Sequence, residues 1–136
     1  MASNIGDQLR KIAERNKQKL GEVVKEAVRD LAGQMIDNSP VKSGGFKGNW
    51  KGSVGEIDRD ASAPPDESGE ASKASVEAAL EAWKPGETLY VTNSKPYAQR
   101  IEHGWSEAAP TGVVGATMAG AEAAMKRAVA KVNNGG

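Results

Sequence analysis

Apolar side chains recur along the first quarter of the chain at the period of an α-helix. Ile5, Leu9, Ile12, Leu20, Val24, Ala27, Val28, Leu31 and Met35 fall close to a 3.6-residue repeat, which predicts one long helix over residues 4–37. Asn4 is placed to cap it, and Asp7 lies in the first turn, where a carboxylate suits the helix dipole. The stripe skips position 16, an asparagine, so the first turns are expected to project beyond the core towards solvent or another subunit. Gly21 and Gly33 each weaken a helix by about 1 kcal/mol relative to alanine. Each therefore marks either a close helix contact or a bend. Ser39 precedes Pro40 and so disfavours helical geometry, which ends the element. The charges between Arg10 and Lys25 read as a solvated helix face.

The pattern then changes. Ser43-Gly44-Gly45 is a turn signal, and Asn49 to Val54 reads as a strand with Trp50 on one face. Residues 56–71, "EIDRDASAPPDESGEA", form a mobile acidic Pro-rich loop by composition. Val76, Ala79, Leu80 and Trp83 fall at i, i+3, i+4 and i+7, predicting a helix over Ser72 to Trp83 capped by Ser72 or Ser75. "TLYVTN" alternates Leu89 and Val91 with Tyr90 and Thr92, as a short strand does. A short helix follows, with Pro96 in its first turn and Ser94 or Lys95 at the cap. Ala98, Ile101 and Tyr97 form its buried side, and Gly104 stops it. Val113 to Val132 reads as one long alanine-rich helix with Val114, Met118, Ala121, Met125, Val129 and Val132 on its apolar face. Residues 133–136 are a frayed tail. The order of elements predicts a single α+β domain over residues 1–136. A long N-terminal helix and further helices, including a long C-terminal one, cover a small, mostly antiparallel sheet.

Composition narrows the function. The chain has 136 residues with 18 basic and 18 acidic side chains, a zero formal charge that argues against a general nucleic-acid binder. There is no cysteine, which excludes disulfides, thiolate metal sites and cysteine nucleophiles. No apolar run approaches the roughly 20 residues of a membrane span. The charged N-terminus is unlike a secretory signal, so a soluble protein made inside a cell, with no membrane partner, is expected. Only three Trp, two Tyr and one Phe are available, so the core rests on Ala, Val, Leu and Ile and gains from oligomerisation. Charge is uneven: residues 56–87 hold nine acids against three bases.

Candidate chemistry is sparse. His103, the single histidine, stands beside Glu102 as an acid–base pair does, with Ser94, Ser106 and Glu107 nearby in sequence. No nucleophile elbow, zinc helix or phosphate-binding glycine loop is present. Adjacent helical residues point about 100° apart, so Glu102 and His103 are poorly placed to share an ion. The acids around Asp58 and Asp66 lack the spaced ligands of a calcium loop. The expectation is no enzyme, no metal and no cofactor, with His103 at the surface end of a helix. Lys42, Lys47 and Lys51 with Phe46 and Trp50 leave an alternative open, a small nucleic-acid-binding protein using the Lys42–Lys51 tract.

An ordered set of motifs resembles the neck, or tail-completion, proteins of tailed double-stranded-DNA phages. After the long helix come Pro40, Val41, Ser43 and Gly44. Then follow Asn93, Pro96, Tyr97, Ala98, Ile101, Glu102 and Gly104, and finally Ala109, Pro110 and Gly112. The resemblance spans most of the chain and departs from the family in the acidic loop and in the alanine-rich last helix. It implies a structural protein of the virion neck or tail, made in the host cytoplasm and without catalytic residues. It also implies a homo-oligomeric ring, six-fold or twelve-fold, around the DNA channel, with neighbouring head-completion and tail proteins as partners. DNA is then met only in passage; a tail terminator capping the tail tube is the related alternative. Asp58, Arg59, Asp60, Asp66 and Glu67 are the expected interface residues of the acidic loop.

Overall fold

The computed structural model describes residues 5–41, 44–104, 109 and 112–135. Helix α1 runs Ile5–Asp37, strand β1 Trp50–Val54, helix α2 Glu70–Ala82 and strand β2 Leu89–Asn93. Three helices follow: α3 at Ala98–Glu102, α4 at Val114–Met118 and α5 at Ala121–Gly135. The fold is α+β, with a two-stranded antiparallel sheet that pairs Trp50 with Asn93 and Val54 with Leu89. Helix α2 packs on β1, and α1 packs on both α2 and α5. None of the described helices is long and apolar enough to cross a membrane.

The core gathers Ala32, Met35 and Ile36 of α1, Phe46, Trp50, Val76 and Leu80 of the middle segment, and Ala109 and Val113. Val28, Leu89, Val91, Ala98 and Ile101 pack against it, partly buried. The only core contribution of α1 comes from its C-terminal half. Residues 8–20 are exposed without exception. Of the two helix glycines, Gly21 marks a close approach: a Cβ there would lie 3.2 Å from Cγ of Pro85. Gly33 has nothing within 4 Å and marks no contact.

Residues 44–50 are buried in one unbroken run. This run turns through a 3-10 helix at Lys47–Asn49 before entering β1. Its polar groups are satisfied largely by side chains. The Asn49 amide donates to the carbonyls of Gly45 (2.7 Å) and Ala63 (3.1 Å) and accepts from the N–H of Ala63 (2.9 Å). Ser72 donates to the carbonyl of Lys47 (2.7 Å) and accepts from the N–H of Trp50 (3.0 Å). The Trp50 indole donates to Ser39, which itself donates to the Met35 carbonyl. Asn93 donates to the carbonyl of Phe46.

Four elements differ from the sequence pattern. Ser72 and Ser75 do not cap α2; both point at β1, where Ser75 accepts from the N–H of Gly52 (3.1 Å). The helix begins two residues earlier, after Gly69, and Asp66 accepts from the first-turn N–H of Ala71. Strand and helix lie so close that a Cβ on Gly52 would meet Cα of Val76 at 2.8 Å. Pro96 lies in a turn ahead of α3, closed by the Ala98 N–H on the Lys95 carbonyl, so neither Ser94 nor Lys95 caps the helix.

The predicted long C-terminal helix is interrupted after Met118. There the N–H of Gly120 bonds to Thr117, three residues back instead of four. Its buried face also differs. Val113, Thr117, Ala124 and Ala128 are inside, while Val114, Met118, Met125 and Val129 are 40, 51, 46 and 41 % exposed. Small residues let α5 approach α1 closely, and the Arg127–Asp30 and Lys131–Glu26 ion pairs, 2.8 and 2.9 Å, flank the contact. Helix α5 continues through Asn133 and Asn134 to Gly135.

The Asn49 amide supports three backbone groups, and each unsatisfied buried group costs about 1–3 kcal/mol. Asn49→Ala is expected to lower the stability measured by urea unfolding by about 2–3 kcal/mol. Ser62→Ala, on the exposed loop, should shift it by less than about 0.5 kcal/mol.

Candidate functional site

The motif residues singled out from the sequence form two separate places in the fold. The first surrounds Gly44, whose φ of +73° favours glycine. Its N–H donates to the carbonyl of Val41 and its carbonyl accepts from the N–H of Asp66. A Cβ at Gly44 would lie 2.7 Å from the Glu67 nitrogen, and one at Gly48 would lie 2.9 Å from that of Asp66. Gly44 therefore seats the acidic loop. Pro40 is half-buried and Val41 exposed. Lys42 and Ser43 lie outside the described residues.

The 56–71 loop makes several hydrogen bonds to the rest of the fold. Asn49 holds Ala63, Gly44 holds Asp66, and the carbonyl of Asp58 accepts from Thr92. Three of the five expected interface residues are occupied in shaping the loop itself. Asp58 accepts from the N–H of Asp60, Asp60 from Ser62, and Asp66 from Ser68 and Ala71. Side-chain hydrogen bonds from Ser62 and Ser68 hold the Asp60 and Asp66 carboxyls below the usual aspartate range. Asp60 also lies 3.6 Å from Lys51. Arg59 and Glu67 remain exposed and enter no ion pair among the described residues.

The second place surrounds Glu102, at the end of α3. Its carboxylate accepts from the N–H groups of Val113 (2.9 Å), Val114 (2.8 Å) and Gly115 (2.9 Å), the first turn of α4. Gly112, with φ +81°, lies so close that a Cβ there would stand 2.4 Å from the Glu102 carbonyl oxygen. Gly104, with φ +84°, ends α3 as its N–H returns to the Ile101 carbonyl. Ala98 and Ile101 pin α3 to the core, and Tyr97, 37 % exposed, places its ring 6.3 Å from Phe46. Glu102 thus ties α3 to α4 across the segment between them. Pro110, Trp105, Ser106 and Glu107 of that segment lie outside the described residues.

Burial pushes the Glu102 carboxyl up, but the three backbone N–H groups, with some help from His103, bring it below the usual glutamate range. It is ionised at neutral pH and its oxygens are already engaged. That arrangement suits a latch and leaves little capacity to accept a substrate proton. His103 itself is exposed. Among the described residues, no group of three or more His, Asp or Glu side chains is placed to hold a metal ion. The Lys42–Lys51 tract offers no aromatic surface, since Phe46 and Trp50 are 5 and 3 % exposed and stack edge to face at 5.4 Å. Lys47 is buried, and Gly69 fits beside its stem.

A groove of about 630 Å³ lies between α1 and the Trp83–Pro85 turn. Glu14, Lys17, Glu22, Lys25 and Lys84 line it, a mixture of both signs without a converging polar cluster. The feature without an internal role is the free half of α1. Ile5, Leu9, Ile12 and Leu20 lie along one helix face at 74, 60, 50 and 64 % exposure.

Compared with known protein families, with curated proteins and with solved structures, the chain finds no match.

The buried Ser39, Asn49 and Ser72 and the half-buried Asn93 carry more of the architecture than the motif pattern indicates. Ser72 had a legible signal, because it shares a helix face with Val76, Ala79 and Trp83, where a polar residue needs a partner. Asn49 had none beyond its place between Gly48 and Trp50.

Removing the Glu102 latch is equivalent to removing a helix cap, worth about 1–2 kcal/mol. Glu102→Ala should show that loss in urea unfolding, and Gly112→Ala about 2 kcal/mol or more through its positive φ and the Glu102 clash. A depressed folded-state pKa contributes stability that is present above the unfolded value and is lost as pH falls through the folded one. The stability gap between the native chain and Glu102→Gln should therefore be full at pH 7. It should narrow as pH falls below about 4.3, the ordinary glutamate value.

Proposed function

We propose that this chain is a structural, non-catalytic protein of the head–tail junction of tailed double-stranded-DNA phages. In this reading it is a neck or tail-completion subunit that assembles into a ring around the DNA channel and joins head to tail. The free half of α1 is the observation that carries an assembly role. A helix whose Ile and Leu stripe faces water over four positions gains little from its own chain, and such a surface marks a contact with another protein. The phage setting rests on the ordered motif resemblance from Pro40 to Gly112. Within the fold those residues are joints: Gly44 seats the acidic loop, and Glu102 with Gly112 joins α3 to α4.

The acidic segment has a role in either position it takes. Nine acids against three bases over residues 56–87, lining a channel, would repel DNA and ease its passage. Facing a basic neighbour, the same segment would fix register. Neck and tail-terminator positions differ only in where the ring sits, so location is the decisive observable.

Cryo-EM of intact particles is the test. A six-fold or twelve-fold ring of this chain between portal and tail tube is the expected result. Particles that lack the chain at the junction would refute it. His103→Ala should leave the yield of infectious particles unchanged, whereas a loss of assembly would show that the histidine has a role this reading denies it.

A further inference from the structure

The free half of α1 carries charge as well as apolar surface, and the charge is one-sided. Helical geometry places Arg15 and Lys19 along one edge of the Ile5–Leu20 stripe and Lys17 along the other, while Arg10 pairs with Asp7 at 3.3 Å and Lys11 lies towards the far side. Asp7 and Glu14, the two acids of this stretch, fall on the opposite side of the helix. Whatever covers the stripe meets a basic border. A second α1 is a poor cover, since pairing two such stripes sets bases against bases.

Among the described residues, two other exposed helix faces bear on the choice. The outer stripe of α4 and α5, Val114, Met118, Met125 and Val129, is apolar. However, α5 holds three bases, and its one acid, Glu122, is 3.4 Å from Lys126. The outer face of α2 has the opposite character. Ala71, Ala74, Ala78 and Ala82 are exposed along it, with Glu70 and Glu81 exposed at its edge. Neither glutamate enters an ion pair among the described residues. Both belong to the acid-rich 56–87 segment, where the chain concentrates its negative charge.

We propose that the free half of α1 seats on the outer face of α2 of a second copy of this chain, bases against Glu70 and Glu81. The inference deepens the ring reading and rests on it. Lengths agree: Ile5 to Leu20 spans about 22 Å and the thirteen residues of α2 about 20 Å at 1.5 Å per residue. Alanines on the receiving helix let the Ile and Leu ridge come close. A chain cannot make this contact with itself. Its α1 is fixed by the Arg29–Glu77 pair, 2.8 Å, along the edge of α2 that also carries Glu70 and Glu81, away from the alanine face, and its exposed half runs on past the core. Donor and receiver are different faces, so each copy has one of each to offer. A contact of that kind closes into a ring when its rotation permits.

The chain has no cysteine, so introduced pairs report without interference. In the full-length protein, Ile12→Cys with Ala78→Cys should give a ladder of disulfide-linked multimers on oxidation. Ile12→Cys with Met125→Cys should not, and Ile12→Cys alone should give no dimer. A ladder through Met125→Cys, or a dimer from the single variant, overturns the proposal. Arg15→Glu and Lys19→Glu together should weaken assembly at least tenfold in sedimentation, and adding Glu70→Lys and Glu81→Lys should restore it. Unchanged assembly, or failure of the restoring pair, also overturns it. Circular dichroism and urea unfolding of each variant separate lost docking from lost folding. If electron microscopy shows rings while the links form elsewhere, this contact is wrong and the ring reading stands. If no ring forms with or without neighbouring proteins, both fall.

Discussion

A buried backbone must find a partner for each N–H and carbonyl, and seven consecutive buried residues, Gly44 to Trp50, set this requirement at the centre of the fold. No extended ladder serves them, because the sheet has two strands and begins only at Trp50. Side chains from distant elements do the work. Ser72 of α2 holds Lys47 and Trp50, Asn93 of β2 holds Phe46, and Asn49 reaches both Gly45 and Ala63. Each of these bonds fixes the position of the element that supplies it. The acidic loop joins the same network, since its anchors at Ala63 and Asp66 are the loop's side of those bonds. Aromatic packing then fills the space, with Phe46 and Trp50 in edge contact beneath α1 and α2.

Periodicity made the elements legible but not their partners. The α1 stripe, the Val76–Trp83 face of α2 and the alternation of β2 each emerged where the apolar pattern is strong. The projection of α1 could be read from the gap at Asn16. The last helix could not be read correctly, because size was a misleading guide to burial there. Met125 and Val129 are large and outside, while Ala124 and Ala128 are small and inside. Close helix packing selects alanine, and a hydrophobicity pattern ranks alanine below methionine. Capping was misassigned for a related reason. A serine near a helix start is equally suited to a cap and to a buried cross-link, and only the position of β1 decides between them.

The candidate site was legible in part. Glu102 stood out through its neighbours in a motif, and the N–H groups that donate to it became visible only once α3 and α4 were placed side by side. What had the look of an acid–base pair in sequence is one engaged carboxylate next to one exposed imidazole. Gly44 likewise gained its meaning from a loop about twenty residues further on.

Among the described residues the molecule divides into a body whose buried polar side chains, the Thr117 hydroxyl apart, find partners within it and an arm that does not cover its own apolar ones. The body accounts for folding; the exposed stripe of the arm is the basis of the proposed contact with a second copy. Sedimentation velocity of the full-length protein across a hundredfold range of concentration tests this division most directly. A shift from monomer to one closed multimer with rising concentration is the predicted result, lost when Leu9 and Ile12 are both changed to Ser while urea unfolding stays within about 0.5 kcal/mol. A monomer at every concentration, with and without neighbouring junction proteins, or a multimer indifferent to those two changes, would contradict it.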